Sequence, residues 1–384
     1  EIEKKIPAGK DYLHLVTHYP QARESTSAYM SLAQFAIDKD EHEKAIKFLV
    51  EVEKRPYTSQ FPFALYKLGW AHYNLKKPEK ALGYMERHVR YYNAKEKRDK
   101  NLNHSDQAIL ENTLADITTF YIQAYERGDS KYSLKNALSY FEDLESGPEL
   151  DTMMVRFARL LRSHGRESDI IYWKDKVVQK YHQREASLKV LTATLEFQLN
   201  KRRYGKIKET TQDIVALYKR DSSLMKKWSA YTNIQKLLLD TAKEYQNHTI
   251  KNKKATRLSE LSDTLIAVYD AFTKIVESAD DRIPGVHYNL AETLFQIEKY
   301  ADATKHYRWI IENWKGKDTR KIKVQDASLK AISSRYKVLK IRKIIPVYNN
   351  SCGFCYRYNM YGMVCRSASC QKTNYSIYHS FFIY

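Results

Sequence analysis

The sequence predicts an all-α array of antiparallel helix pairs, a solenoid. Three observations carry this. Apolar residues recur at helical spacing through most of the 384-residue chain. A pattern of large-x-x-large-small, then a turn, then Ala-x-x-x-aromatic or aliphatic returns three times. Gly and Pro are scarce, at 11 and 8, which excludes linker-rich and Gly-loop architectures, while 43% apolar residues exclude wholesale disorder.

Taken in order, residues 1–24 read as the end of a truncated repeat. Tyr12 to Pro20 has the pattern of a closing helix with no first helix before it, so the chain is expected to begin mid-repeat. Residues 25–106 hold two regular pairs. In the first, Tyr29, Leu32, Ala33 and Ala36 mark one helix, Asp38-Lys39-Asp40 the turn, and Ala45, Leu49 and Val52 the second helix. In the second, Leu65, Leu68, Gly69 and Tyr73 precede a break at Lys76-Lys77-Pro78, where Pro78 suits a helix start. Ala81 is small where the two helices must cross, and Met85 continues its stripe.

Residues 107–222 read as degenerate helical repeats: 108–145 with an extended connection at Gly128 to Lys131, then Met154 to Val177 broken at Gly165, then Leu188 to Leu199 and Tyr204 to Tyr218. Residues 223–281 predict a long helical hairpin, with unbroken periodicity from Ser223 to Asn247 and from Thr256 to Ser278. Residues 282–345 return to the regular pattern through Leu290, Ala291, Leu294, Tyr300, Ala303 and Tyr307, then begin another repeat at Asp326. Residues 346–384 lose helical periodicity and become a Tyr-, Ser- and Cys-rich tail.

These segments resemble tetratricopeptide repeats, units of about 34 residues; Phe61 to Tyr92 and 283–314 are the nearest in pattern. The resemblance implies a right-handed superhelix with a groove lined by first helices, and a non-catalytic scaffold that binds a partner's peptide or helix. It places Met30, Ser31, Gln34 and Ile37 in the groove, then Tyr66, Lys67, Trp70, Tyr73 and Asn74, and at the far end Tyr288, Asn289, Glu292 and Phe295. Large aromatic groups there give contact area at small entropic cost. Packing of Trp70 and Tyr73 against the next repeat is the alternative. Met30, Gln34 and Glu292 do not suit the subfamily that clamps a C-terminal carboxylate.

The phrase from Ala64 to Leu75 and the ending Tyr19-Pro20 are similar to repeats of bacterial cell-envelope proteins, including gliding-machinery and Tol-associated scaffolds. That likeness implies a periplasmic or envelope-associated adaptor; the cytoplasm is the alternative.

Other functions find less support. The formal charge is +19, but nine of those charges follow Asp326, after which no carboxylate side chain occurs. The remaining excess suits a solvated surface. A basic repeat protein binding RNA or DNA through Arg202, Arg203, Lys206, Lys251, Lys253 and Lys254 is the second reading. No His-Glu-x-x-His, Gly-x-Ser-x-Gly or phosphate-loop pattern is present, so no catalysis, cofactor or small-molecule substrate is expected. No segment is apolar enough over ~20 residues to span a membrane.

All four cysteines, Cys352, Cys355, Cys365 and Cys370, lie in the tail. Their spacing permits a zinc knuckle, but no acidic residue is nearby to balance the Arg and Lys around them. A disulfide or free-thiol tail and a foreign or frame-shifted extension are the other readings.

Overall fold

The computed structural model describes residues 2–251, 258–314 and 324–341. Every regular element in them is an α-helix: α1 (Ile2–His18), α2 (Ser25–Ile37), α3 (His42–Glu53), α4 (Phe61–Asn74), α5 (Pro78–Asp99), α6 (His104–Glu126), α7 (Ala137–Leu144), α8 (Pro148–Ser163) and α9 (Glu167–Lys180). The chain continues with α10 (Glu185–Asn200), α11 (Tyr204–Arg220), α12 (Ser222–Met225), α13 (Ser229–Lys251), α14 (Leu258–Ile275), α15 (Ile283–Gln296), α16 (Tyr300–Asn313) and α17 (Val324–Ile341). Proline opens α4, α5, α8 and α15, where its missing N–H would have had no helical partner.

Each helix packs on its sequence neighbour, α2 on α3, α3 on α4, α4 on α5, α15 on α16 and α16 on α17, and alternate helices α6, α8 and α10 also touch directly. This is an all-α solenoid of stacked helix pairs. The hydrogen bonds that cross between pairs record its period. Lys67 reaches Gln34 across 33 positions, Arg203 reaches Glu167 across 36, and Lys330 reaches Glu292 across 38. Two stretches depart from that period. Between α4 and α6 the offset grows to 50, as in Tyr66 to Asp116, and around α13 and α14 it reaches 47, as in Arg282 to Gln235. There α14 packs along both α11 and α13 before handing on to α15.

The turn from first to second helix has one solution, used repeatedly. A residue with positive φ closes it: Asp40 (57°), Lys76 (59°), Gly128 (84°), Gly165 (69°), Arg202 (53°) and Glu298 (63°). The following N–H then reaches back five residues, Glu41 to Ala36, Lys77 to His72, Arg166 to Leu161, Arg203 to Gln198 and Lys299 to Leu294, at 2.8–2.9 Å. This is the Schellman closure, which satisfies carbonyls a helix end leaves open.

The core runs lengthwise because a helix pair cannot bury both faces alone. α10 shows this best. Ala186, Val190, Ala193 and Phe197 face the preceding repeats, with Phe157 and Trp173 in the same cluster. Leu188, Leu191 and Leu195 join the following cluster with Ile234 and Phe272. Between α4 and α5 the fit is close enough that a Cβ on Gly69 would lie 2.8 Å from Met85 Cε.

Candidate partner-binding groove

The aromatic residues expected in the groove of the second pair are turned toward the next repeat. Tyr66 Oη and Trp70 Nε1 both donate to Asp116 Oδ2, at 2.7 and 3.1 Å. Trp70 meets Phe120 edge-on at 5.0 Å, and Tyr73 stacks on the same ring at 4.3 Å. All three are half-buried. Burial, with Asp116 as acceptor, pushes the Tyr66 hydroxyl up to about 12, and burial lifts the Asp116 carboxyl although both hydrogen bonds oppose it.

Of the polar members of the predicted set, Gln34 and Lys67 are half-buried. Lys67 Nζ donates to Gln34 Oε1 at 2.5 Å, and Gln34 passes its own amide to Asp38 at 2.6 Å, a ladder from α4 to α2. Burial lowers the Lys67 ammonium. Met30, Ser31 and Ile37 are half-buried and Asn74 is exposed. At the far end, Lys330 of α17 bonds Tyr288 Oη at 2.7 Å and Glu292 at 2.6 Å, and Lys337 lies 4.3 Å from the Phe295 ring centroid. Asn289 is half-buried and serves the Tyr269 hydroxyl. Repeated placement of groove candidates against the next first helix follows from the parallel stacking of these helices.

An open concavity lies further along, over α8. A trough of about 730 Å³ runs between α6, α8 and α10, floored by Ala115, Val155, Leu160 and Ala186 and edged by Thr152, Arg156, Arg159 and Lys189. A smaller recess of about 380 Å³ continues it past Arg162, Phe197 and Lys201. The spacing 148, 152, 155/156, 159 and 163 puts one stripe of α8 along its whole length. Sequence reading missed this site because Arg156 and Arg159 look like ordinary residues of a solvated helix face; three parallel helices are needed to make them a wall.

Its electrostatics are uneven along α8. Arg162 is paired with Glu196, Asp151 with Arg184 at 2.9 Å, and Glu185 accepts from Ser229, Ala230 N and Lys189. Arg156 reaches the Thr119 hydroxyl at 3.2 Å. Among the described residues, Arg159 and Lys201 have no carboxylate within pairing distance. In the first turn of α8, burial raises the Glu149 carboxyl, and Glu111 and Glu145 raise it further, against a hydrogen bond from Thr152.

Of the candidate phosphate-binding residues, Arg203 pairs with Glu167 at 2.9 Å, Lys206 pairs with Glu209 at 3.1 Å, and Arg202 occupies a turn. Lys253 and Lys254, the side chain of Lys251, and Cys352, Cys355, Cys365 and Cys370 fall outside the described residues. No cluster of three or more His, Cys, Asp or Glu suited to a metal occurs among the described residues, and none of the described helices is long and apolar enough to cross a membrane.

No family model matches the sequence, and no curated protein matches it. Among solved structures, the chain is similar to the TPR2AB-domain:pHSP90 complex of yeast Sti1, at 11% identity and a TM-score of 0.28, covering 82% of this chain and 99% of that one. It is similar to a tetratricopeptide repeat protein from Parabacteroides merdae, at 11% identity and a TM-score of 0.28, covering 80% and 99%. The apo quorum sensor NprR of B. thuringiensis gives 13% identity and a TM-score of 0.30, covering 82% and 84%. These superpositions are loose, and the architecture stands on the helix packing described above.

Proposed function

We propose that the chain is a non-catalytic scaffold that holds an extended segment of a partner protein. The observation that carries this reading is the open trough along α8, with an apolar floor and polar edges, the composition that suits a peptide surface better than a small-molecule cavity. First helices on either side would extend the contact. Met30, Gln34, Lys67 and Asn74 lie upstream, braced by Tyr66, Trp70 and Tyr73, and Tyr288, Asn289 and Phe295 lie downstream. An envelope assembly, periplasmic rather than cytoplasmic, is the setting we propose for it, on the strength of the Ala64–Leu75 phrase and the Tyr19-Pro20 ending.

The test is site-specific photocrosslinking in the full chain. A photoreactive side chain at Thr152, on the trough edge, is expected to form adducts with a polypeptide. The same group at Lys208, exposed on α11, is expected to form none. Equal labelling at both positions, or none at Thr152, overturns the reading. Nucleic acid binding is disfavoured because two of its candidate cations, Arg203 and Lys206, are already held by carboxylates.

A further inference from the structure

Two opposite sides of α17 are apolar. Ala327 and Ala331 join the core cluster with Tyr307 and Ile310. Leu329, Ile332 and Tyr336 lie on the other side and are 51%, 51% and 44% exposed, and half-buried Leu339 continues their 3-4-3 spacing. We infer that this stripe is a docking seam for an amphipathic helix of a partner protein, apolar along one side and acidic at the edge that meets Arg335. The seam is separate from the trough along α8 and gives the scaffold a second surface with its own chemistry.

The repeat register shows what kind of element fits. Lys67 and Lys330 hold the same place in their helices: each bonds back to the residue after a small alanine of the preceding first helix, Gln34 after Ala33 and Glu292 after Ala291. Leu329, Ile332 and Tyr336 therefore stand where α4 has Tyr66, Gly69 and Tyr73. In α4 all three positions are covered by helices: Tyr66 and Tyr73 by Asp116 and Phe120 of α6, and Gly69 by Met85 of α5. In α15 the equivalents of Tyr66 and Tyr73 are Tyr288 and Phe295, covered by Lys330 and Lys337 of α17. A helix laid on the α17 stripe thus continues an interface the chain already builds at α4 and α15. Ile332 in place of Gly69 keeps that helix further out than α5 lies on α4, since even a Cβ on Gly69 would lie 2.8 Å from Met85 Cε. Leu329 to Leu339 spans about 15 Å at 1.5 Å per residue, the length of about three turns of partner helix.

Charge selects among helices. Arg335 is exposed at one edge of the stripe and has no ion-pair partner among the described residues, whereas Lys330 is held by Glu292 and Lys337 by the Phe295 and Tyr300 rings. Asp326, in the first turn, is the one carboxylate of α17. It lies at the other edge of the stripe, about 13 Å along the axis from Arg335. A second α17 cannot set the two together: an antiparallel pair brings both Arg335 edges face to face, and a parallel pair leaves the 13 Å offset. From 327 to 384 the sequence contains nine Lys and Arg and no carboxylate side chain, so that stretch offers Arg335 no partner either. A carboxylate on a partner helix gains a charge-assisted hydrogen bond there, beside an apolar contact.

The probes are two fluorescein-labelled helical peptides about five turns long, with leucine at 3-4-3 spacing, one carrying Glu and the other Lys along both edges. Each is titrated onto the full chain and followed by fluorescence anisotropy. The Glu-edged peptide is expected to bind about tenfold tighter, the equivalent of one charge-assisted contact. Arg335→Glu, an exposed single change, is expected to reverse the preference. Leu329→Ser/Ile332→Ser, with helicity checked by circular dichroism, is expected to weaken the Glu-edged peptide at least about tenfold through lost apolar burial. Equal or tighter binding of the Lys-edged peptide to the unaltered chain, or unchanged binding to either variant, overturns the inference. A photoreactive side chain at Ile332 then identifies the occupant. Transfer to the Glu-edged peptide supports the seam, whereas crosslinking within the chain or between two copies in preference to that peptide overturns it. None of these readouts involves Thr152, so the trough along α8 stands or falls separately.

Discussion

Asp116 is the single acceptor for two donors of the preceding repeat, the Tyr66 hydroxyl and the Trp70 indole N–H. Its removal leaves both donors half-buried without a partner, and each such group costs about 1–3 kcal/mol. Asp116→Ala is expected to lower the unfolding free energy by about 2–3 kcal/mol in urea titration, and Asp116→Asn, which keeps an acceptor oxygen, by clearly less. Equal losses for the two variants would show that the carboxylate acts through charge. Sequence reading singled out Trp70 and Tyr73 and left groove and neighbour open as alternatives. The deciding residues, Asp116 and Phe120, lie nearly 50 positions away, and an isolated Asp on a helix looks like a solvated residue.

At the scale of the element, the recurring turn explains which features were legible. Helix spans show in a sequence because burial imposes a 3.6-residue period on apolar side chains, as at Leu65, Leu68 and Ala81. The closure that recurs after first helices is less visible, because among the described residues glycine fills it at two of six occurrences, Gly128 and Gly165. Lys76, Arg202 and Glu298 take the same left-handed conformation, which costs an L side chain roughly 1–2 kcal/mol. Gly relieves that strain and gives back part of the gain through unfolded-state entropy. Lys76→Gly and Glu298→Gly are each expected to raise stability by about 0.5–1 kcal/mol, measured as a higher midpoint in chemical denaturation. Lys76→Val, with a β-branched side chain in that conformation, is expected to lower it.

Over the whole molecule, several imidazoles are buried neutral. His88, in the first half, is held down to about 4 by burial. His287 sits 2.9 Å from His306, Nδ1 to Nδ1, and stacks on Trp309 at 3.9 Å. Burial and the neighbouring ring hold it down to about 3. Burial lowers His306 as well, although Asp270 and Asp302 pull the other way and Lys305 adds to the lowering. A short contact between two ring nitrogens requires that one carry a proton and the other not. The sign follows: below about 6.5 the unfolded chain takes up protons these sites refuse, so stability is complete above that pH and declines toward 3, by up to about 1.4 kcal/mol per pH unit for each site. The melting temperature is expected to fall between pH 7.5 and pH 5, and His287→Gln, which keeps a polar neighbour for His306 without titrating, to show a smaller fall. The solenoid itself was readable at this scale, because three copies of one pattern leave few alternatives. The trough was not, since its walls come from separate repeats and meet only when α6, α8 and α10 stack.

The links between successive units, among them Arg87 to Glu53, Arg184 to Asp151, Arg162 to Glu196 and Lys299 to Asp263, have a mechanical meaning. None of them spans more than one seam, so a load applied at the two extremities crosses the seams one after another, with Arg184–Asp151 and Arg162–Glu196 side by side at the same one. A pull on the two ends is therefore expected to open the weakest seam first while the rest stay shut.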